Sequence, residues 1–363
     1  MTMELERGWS PNWAVHPGEY LEENLDVRGW SQAEFARLSG LTKKHVSDMI
    51  NGKNPVTPET ALKLQRVLGV NAQIWIGMQA DWDFHEARVA AQDLDDQARA
   101  WVARQPVREL KKCRIIQRLA DDFDVYNDLL TFYRIGTFTA YDARVKRCCV
   151  HHRQAGGRGE VLPEYVFAWL MMGEWQARTM NLPEYDRKIF RKAVDEIRAL
   201  TSERPSVFVP EMKRLCGNAG VALIFEPAFP KTKLFGSARW IDGRRPVIQM
   251  SLRMKANDHF WWTFFHECGH ILLHEGRDFA DDKPGEPDAV EAEANAFATE
   301  ILVGRKRLEQ IVSIAPKSKS KVRLLAEELG IHPGILVGML QHHEVIEFRH
   351  MNDLKVKIEF KKP

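Results

Sequence analysis

The sequence has few features that would set it apart from an ordinary globular protein. Five of its 363 residues are cysteine, an odd number spread along a long chain, which argues for reduced thiols rather than a disulfide framework. No apolar run approaches the roughly 18 residues that a membrane helix needs. The opening stretch MTMELERGWS lacks the cationic and apolar segments of a secretory signal. We therefore expect a cytoplasmic protein that does not enter a membrane.

Strong net charge is also lacking, since 52 Lys and Arg residues against 50 Asp and Glu residues leave +2 at pH 7. The distribution of charge is more informative than its sum. Residues 28–66 hold seven basic and three acidic residues, whereas residues 81–96 hold six acidic residues and only Arg88 as a base. A basic patch followed by an acidic segment favours a local nucleic-acid surface on an otherwise balanced protein.

The chain is long enough for two or three domains. Residues 1–95 contain short helical patterns broken by Gly, Asn and Pro, and residues 96–205 are mostly helical by their three-to-four spacing of apolar residues. Residues 206–363 begin with short β-prone segments and end with helices, an order that indicates an α+β domain. We predict a mainly α protein of class α+β, with a helix-turn-helix domain, a helical connector and a C-terminal domain with a small sheet. Its strands are expected at 221–226, 236–241 and 245–251, with Asp242-Gly243 as a hairpin turn.

The stretch SQAEFARLSGLTKKHVSDMINGKN has the pattern of two short helices joined by a turn. Ser31 is a helix cap with a glutamate in the capping-box position, Gly40 permits a sharp turn, and Thr42 opens a second helix. Val46 and Met49 then face inward, as does Ile50. This is the helix-turn-helix arrangement, in which the second helix enters the major groove of DNA.

The outward residues of this segment are the candidate DNA contacts. Lys43, Lys44 and Ser47 are predicted to meet base edges, and Gln32 and Asn51 to meet phosphates. Two lysines alone would fit a plain helical hairpin with a solvated face equally well. The full pattern, with an Asn-Gly pair ending the second helix, favours DNA binding.

Residues 16–84 resemble the HigA-type antitoxin branch of the XRE helix-turn-helix family. The resemblance rests on HPGEYLEENL, on SQAEFARLSGLTKKHVSDMINGKNPVTPETALKL and on the closing WIGMQADWD. It implies a homodimeric repressor that binds its own operator in double-stranded DNA. A ribonuclease toxin is the further partner that such a resemblance implies.

The stretch FFHECGHILLH, residues 264–274, holds three histidines four residues apart. Residues at this spacing lie one turn apart on one helix face, so His266 and His270 can both bind one Zn2+ ion. Glu267 lies one step around the helix, where its carboxylate could take a proton from a water activated by the metal. His274 lies about 12 Å from His266 along a straight helix, so we expect it to support or pack against a ligand.

A third ligand is expected from EAEANAFATEIL, which reads as an amphipathic helix packed on the first. Glu291 and Asn295 share one face, so Glu291 could bind zinc while Asn295 accepts a hydrogen bond that fixes the tautomer of His266. Glu293 faces elsewhere and is the alternative third ligand. The competing interpretation of the region is a buried helix with satisfied histidines beside an unrelated acidic helix.

Residues 206–345 resemble the ImmA/IrrE family of zinc metallopeptidases. The resemblance rests on Gly236, on RPVIQMSLR, on FWWTFFHECGHILLH and on EAEANAFA. It implies a zincin-like domain that holds zinc through His266, His270 and Glu291, in preference to Glu293, with Glu267 as the catalytic residue. It also implies that the protein cuts transcriptional repressors or regulates them, often under stress.

Together these patterns predict a DNA-binding regulator with a fused zinc endopeptidase that cuts a partner protein, a repressor or a toxin, or itself. The alternative is an antitoxin-like autorepressor that sequesters a toxin and whose metal domain does not cut. The strand at 245–251 is predicted to pair with an extended peptide. Three residues remain candidates for stabilising the oxyanion: Arg239, Tyr165 and His332.

Overall fold

The structure is a computed structural model, and it describes residues 13–358 apart from 93, 118, 150–161, 231, 233, 252, 254–255 and 275–286. Over this part of the chain it is mainly helical with one three-stranded sheet, which confirms the predicted fold class. None of the helices there combines the length and apolar character that crossing a membrane requires.

Two compact units divide the chain. One consists of Glu4–Trp101 with Leu119–Tyr126, and the other of Val102–Arg118 with Asn127–Pro363. The three-domain division at 1–95, 96–205 and 206–363 stays a prediction.

The first unit contains the predicted pair of short helices. Ser31 Oγ accepts a hydrogen bond from the backbone N–H of Glu34 at 3.2 Å, and Thr42 Oγ1 accepts one from His45 at 3.1 Å. Gly40 joins the two helices with a φ of 69°, in the left-handed region that favours glycine. The helices of this region are α1 (Pro17–Arg28), α2 (Gln32–Ser39), α3 (Lys43–Ile50), α4 (Pro58–Leu68) and α5 (Ala72–Ala91).

The core of this unit forms where those helices meet. Val46 and Met49 of α3 are fully buried beside Phe35, Leu64 and Trp75, and Ile50 packs against the same cluster. The inward face predicted for α3 is therefore confirmed, and its outward face is left to polar and basic residues.

The chain continues through a helical stretch into the sheet of the second unit. The helices are α6 (Asp96–Arg104), α7 (Val107–Lys112), α8 (Asp122–Tyr133), α9 (Tyr141–Cys149), α10 (Pro163–Thr179), α11 (Arg187–Arg198) and α12 (Pro205–Asn218). The strands are β1 (Ala222–Phe225), β2 (Gly236–Ile241) and β3 (Arg245–Met250). All three strands lie where the sequence predicts them, and Asp242 and Gly243 form the turn with φ values of 52° and 66°.

The strand order is β1-β3-β2, with β1 parallel and β2 antiparallel to β3. Strand β3 is therefore central, and both of its edges are already paired. The prediction that the strand at 245–251 binds an extended peptide is wrong for that reason. Among the described strands, β2 and β1 are the ones with an open edge.

The register shows which backbone groups of β2 face its open edge. Pro246 lies opposite Trp240, and because proline has no N–H, this pair cannot exchange ladder hydrogen bonds. The backbone hydrogen bond from Ser251 N to Phe235 O, at 2.9 Å, fits the same alternation, because Phe235 directly precedes Gly236 and bonds toward the β3 side. Gly236, Ala238 and Trp240 therefore turn their backbone groups away from β3.

Helices cover both faces of the sheet. Leu223, Ile248 and Met250 belong to the large core that includes the next helix, whereas Ile224 and Val247 pack in a smaller cluster with Ala177 of α10. The helices after the sheet are α13 (Asn257–Leu273), α14 (Pro287–Leu302), α15 (Arg305–Ile314), α16 (Lys319–Leu329) and α17 (Pro333–His342). Helix α13 packs on α14, α17 and β2, which explains why its sequence is apolar on nearly every side.

Candidate metal centre and nucleic-acid interface

Three of the predicted ligand side chains converge where α13 meets α14. The Nε2 atoms of His266 and His270 lie 3.0 Å apart. His266 Nε2 is 3.3 Å from Glu291 Oε2, and His270 Nε2 is 3.4 Å from Glu291 Oε1. These three residues could hold one metal ion.

The spacing of the three donor atoms fits zinc. An ion bound tetrahedrally at roughly 2.0–2.1 Å places its ligand atoms about 3.3 Å from one another. The measured separations of 3.0, 3.3 and 3.4 Å lie around that value. Two imidazoles and one carboxylate are also a donor set that catalytic zinc accepts, with a further position left for water or substrate.

The convergence of these groups shifts their protonation. Burial acts to raise the pKa of Glu291, but hydrogen bonds from His266 and His270 outweigh it and lower that pKa well below its ordinary value. Burial acts to lower the pKa of His266, but its bond to Glu291 and the nearby charge of Glu267 raise the pKa overall. Glu291 is thus kept ionised, which is the form that binds a metal.

Asn295 lies one turn after Glu291 on α14. Its Oδ1 is 2.9 Å from His266 Nδ1, so the amide oxygen can accept the proton that remains on that ring. The ring of Trp262 stacks on His266 with a centroid distance of 5.1 Å and an angle of 25°. The imidazole of His266 is therefore held from two sides.

Glu267 lies between α13 and the open edge of β2. Its carboxylate is buried, 7% exposed, and it accepts a hydrogen bond from the backbone N–H of Ala238. Burial raises the pKa of Glu267 above its ordinary value. A Cβ atom built at Gly236 would lie 2.6 Å from Glu267 Oε1, so a side chain at residue 236 would force the side chain of Glu267 or its surroundings to shift.

Sequence reasoning placed Gly236 among the residues that carry the family resemblance but did not predict its contact with Glu267, and it did not single out Ala238. One signal was available, because a glycine inside a strand pattern often marks a close approach of another group to the backbone. The partner of that approach could not be read from the sequence, since it depends on how β2 packs against α13.

His274 and Glu293 form a contact that the sequence did not predict. His274 is 3% exposed, with its Nδ1 3.3 Å from His270 Nδ1 and its Nε2 3.0 Å from Glu293 Oε2. Glu293, the alternative third ligand, is thus paired with His274 and stands outside the converging set.

Two of the three oxyanion candidates are wrong. Arg239 donates to Gln249 Oε1 at 3.0 Å and to the carbonyl of Leu170 on α10. Arg239 lies opposite Val247, on the face of the sheet that packs against α10. Because side chains alternate along a strand, this is the face opposite α13 and Glu267.

His332 is instead the N-cap of α17. Its Nδ1 accepts from Gly334 N at 3.0 Å and lies 2.8 Å from Asn257 Nδ2, at the far end of α13 from the metal ligands. Tyr165, in the first turn of α10, stays a prediction.

The candidate DNA contacts lie on and beside α3. Lys43 and Lys44 are exposed in its first turn, and Ser47 and Gln32 are half-buried. Asn51 is exposed and its Nδ2 donates to the carbonyl of Ser47 at 2.7 Å, which completes the last turn of α3. The contacts of these five residues with DNA stay predictions.

Comparison with protein families assigns both regions. The helix-turn-helix family model (HTH_3) matches residues 26–75. The model of the IrrE N-terminal-like domain (Peptidase_M78) matches residues 216–340, a range that includes β1–β3, the converging histidines and Glu291.

Individual relatives match about a quarter of the chain or less. The uncharacterized HTH-type transcriptional regulator YddM of Escherichia coli (strain K12) is 38% identical over 71 residues, which are 20% of this chain and 76% of that relative. Virulence-associated protein I of Dichelobacter nodosus is 31% identical over 94 residues, 26% of this chain and 87% of the relative. Virulence-associated protein A' of the same organism is 29% identical over 72 residues, 20% of this chain and 63% of the relative.

Proposed function

This chain belongs to the family of helix-turn-helix transcriptional regulators and carries a peptidase M78 domain of the IrrE N-terminal-like type, and from that premise we propose that it is an operator-binding regulator with zinc endopeptidase activity. The observation that carries the proposal is the convergence of His266, His270 and Glu291 beside the buried carboxylate of Glu267. The substrate is a regulatory protein, either a repressor or a toxin, or the chain itself.

In this proposal His266, His270 and Glu291 hold the zinc ion. When bound, zinc acts as a Lewis acid that polarises a carbonyl group and makes a water molecule more acidic. Glu267 takes the proton of the attacking water on its carboxylate and later delivers it to the leaving amine. Its raised pKa, which follows from burial, suits a group that must both accept and return a proton. Asn295 keeps the proton of His266 on Nδ1, away from the metal.

The open edge of β2 is the proposed binding place for the substrate backbone. Gly236 and Trp240 turn their peptide groups toward this edge, and Glu267 approaches the strand at Ala238. An extended peptide added as a further strand would pass next to Glu267 and the zinc ligands. Recognition through the backbone predicts modest selectivity for the sequence of the substrate.

The first unit supplies operator binding in the same proposal. Lys43, Lys44 and Ser47 meet base edges in the major groove, and Gln32 and Asn51 meet phosphates. A homodimer would place two copies of α3 on two half-sites of a palindromic operator about one helical turn apart.

The test of the peptidase is the variant Glu267→Gln in the full chain. Purified wild type and variant are loaded with Zn2+ and incubated with candidate repressors and toxins, and products are identified by mass spectrometry. Wild type is expected to cleave, and the variant to keep its zinc while losing activity by a factor of about 100 or more. The control is Glu309→Gln, which changes an exposed carboxylate on α15.

Undiminished cleavage by Glu267→Gln would show that this carboxylate is not the base and would reject the mechanism. Intact substrates in the presence of fully zinc-loaded wild type, including the chain itself, would instead favour an antitoxin-like autorepressor whose metal domain does not cut.

A further inference from the structure

We propose that Glu293 and His274 form a positioning pair that holds the ring of His270 in the orientation and tautomer that metal binding requires. The inference rests on the proposed function in one respect, namely that His270 is a zinc ligand. It assigns a task to two side chains outside the ligand set.

The contacts run in one line from the surface to the ligand cluster. Glu293 is on the first half of α14, with 64% of its side chain exposed, and its Oε2 lies 3.0 Å from His274 Nε2. His274, which follows the last residue of α13, is 3% exposed and its Nδ1 lies 3.3 Å from His270 Nδ1. The other nitrogen of His270 faces His266 and Glu291.

A single arrangement of the ring protons allows each of these contacts to be a hydrogen bond. Metal binding through Nε2 of His270 requires a lone pair there, so the proton of that neutral ring is on Nδ1. His270 Nδ1 then donates to His274 Nδ1, which must offer a lone pair. The proton of His274 is therefore on Nε2, where it donates to Glu293. The carboxylate at one end and the metal at the other fix both tautomers.

The two ligand rings are thus held by different means from the same helix. His266 donates directly to the neutral amide of Asn295, whereas His270 reaches a charged carboxylate through a second imidazole. Glu291, Glu293 and Asn295 all lie on α14. This helix therefore provides one metal ligand, Glu291, and the side chains that support the imidazoles of His266 and His270 from outside the ligand set. Outer partners of this kind typically change metal affinity by about 10–100-fold.

The test is a measurement of zinc affinity in the full chain by competition with a chromophoric chelator. His274→Phe keeps an aromatic ring but removes the acceptor for His270, so the Kd for Zn2+ should rise by about 10–100-fold. Glu293→Ala should raise the Kd by a smaller factor in wild type, and should have no further effect in the His274→Phe background because it acts through that ring. Glu300→Gln, on the same helix, is the matched control and should bind zinc like wild type.

Two further readouts separate positioning from a general structural role. His274→Gln retains an acceptor and should recover part of the lost affinity. The visible absorption spectrum of the Co2+-loaded protein should change in His274→Phe and Glu293→Ala, because the orientation of one ligand changes, and should stay the same in Glu300→Gln.

Equal zinc affinity in wild type, Glu293→Ala and His274→Phe would overturn the positioning pair and leave the proposed function intact. Additive effects in the double variant would also overturn it. Failure of wild type to bind zinc at all would reject the proposed function first. If His274→Phe does not fold, the surface variant Glu293→Ala decides alone, through its zinc Kd and its Co2+ spectrum.

Discussion

Gly236 lies where a side chain has no room. A Cβ atom there would lie 2.6 Å from Glu267 Oε1 and 2.8 Å from Thr263 Cγ2. Glu267 is fixed at this place by the N–H of Ala238, so a methyl group would displace the carboxylate from its hydrogen bond.

We therefore expect Gly236→Ala to lower the turnover number by about 100-fold, since a displacement of about 1 Å can cost that much. Zinc affinity should change little, because the ligand side chains are not touched. The measurement is kcat in the cleavage assay together with the zinc Kd. Gly136→Ala is the control, because an added Cβ meets nothing within 4 Å there. A fully active Gly236→Ala would contradict the close approach of β2 to Glu267.

Helical periodicity explains which site residues could be predicted. His266 with His270 and Glu291 with Asn295 are each four residues apart, and this spacing is visible without a structure. The Gly236 contact depends on the packing of a strand against a helix, which no local pattern contains. The wrong assignment of Arg239 could have been avoided only by knowing which face of β2 meets α13.

At the level of single elements, α3 is the helix that we propose binds DNA. Its buried face is occupied by Val46 and Met49, which leaves Lys43 and Lys44 exposed at its N-terminal end. The double variant Lys43→Ala/Lys44→Ala should weaken operator binding by about 1–3 kcal/mol for each base contact that is lost.

Fluorescence anisotropy with a labelled operator duplex at fixed salt measures this effect. Lys192→Ala is a suitable control, because Lys192 lies on α11, outside the basic segment 28–66, and pairs with Glu196 at 3.7 Å. An unchanged Kd in the double variant would show that α3 is not the recognition helix.

The beginning of α13 contacts the segment that follows α17. Lys355 Nζ lies 2.6 Å from Asp258 Oδ2, with 15% and 6% of the two side chains exposed. Asn257 also bonds to Val356 through both its N–H and its Oδ1, at 2.9 and 3.1 Å. The segment after α17 thus stabilises the N-terminal end of α13, the helix that contains the histidines.

Lys355→Ala would leave the carboxylate of Asp258 buried without its cation, which typically costs about 3–5 kcal/mol of unfolding free energy. Urea denaturation of the full chain measures the loss. Lys319→Ala breaks an exposed pair with Asp353 and should leave the transition nearly unchanged. Equal midpoints for the two variants would show that the buried pair does not stabilise α13.

The elements themselves were largely predictable, but their order in space was not. The three strands, the hairpin turn and the helices α13 and α14 lie close to the predicted ranges because their patterns are local. Strand order depends on where the chain crosses between β1 and β2, so β3 was wrongly assigned an open edge. A retrospective signal exists in β3, since PVIQM is buried on both faces, as is typical of a central strand.

At the scale of the whole molecule, the chain contains two family matches that lie in different parts of the sequence. The helix-turn-helix match at residues 26–75 lies in the first compact unit, and the peptidase M78 match at residues 216–340 lies in the second. Overall composition gave no indication of either, because the net charge is close to zero and only local clustering of charge pointed to DNA. Both the proposed peptidase activity and the proposed positioning pair require a metal ion at His266, His270 and Glu291.

X-ray absorption at the zinc K-edge, on the full chain purified with one equivalent of Zn2+, identifies the atoms that bind the ion. We expect one zinc per chain with nitrogen and oxygen donors at roughly 2.0–2.1 Å, including the scattering of two imidazoles, and no sulfur. In Glu291→Ala the oxygen contribution should fall and the bound zinc should be lost on dialysis. A sulfur shell at about 2.3 Å, or zinc retained unchanged in Glu291→Ala, would contradict the site formed by His266, His270 and Glu291.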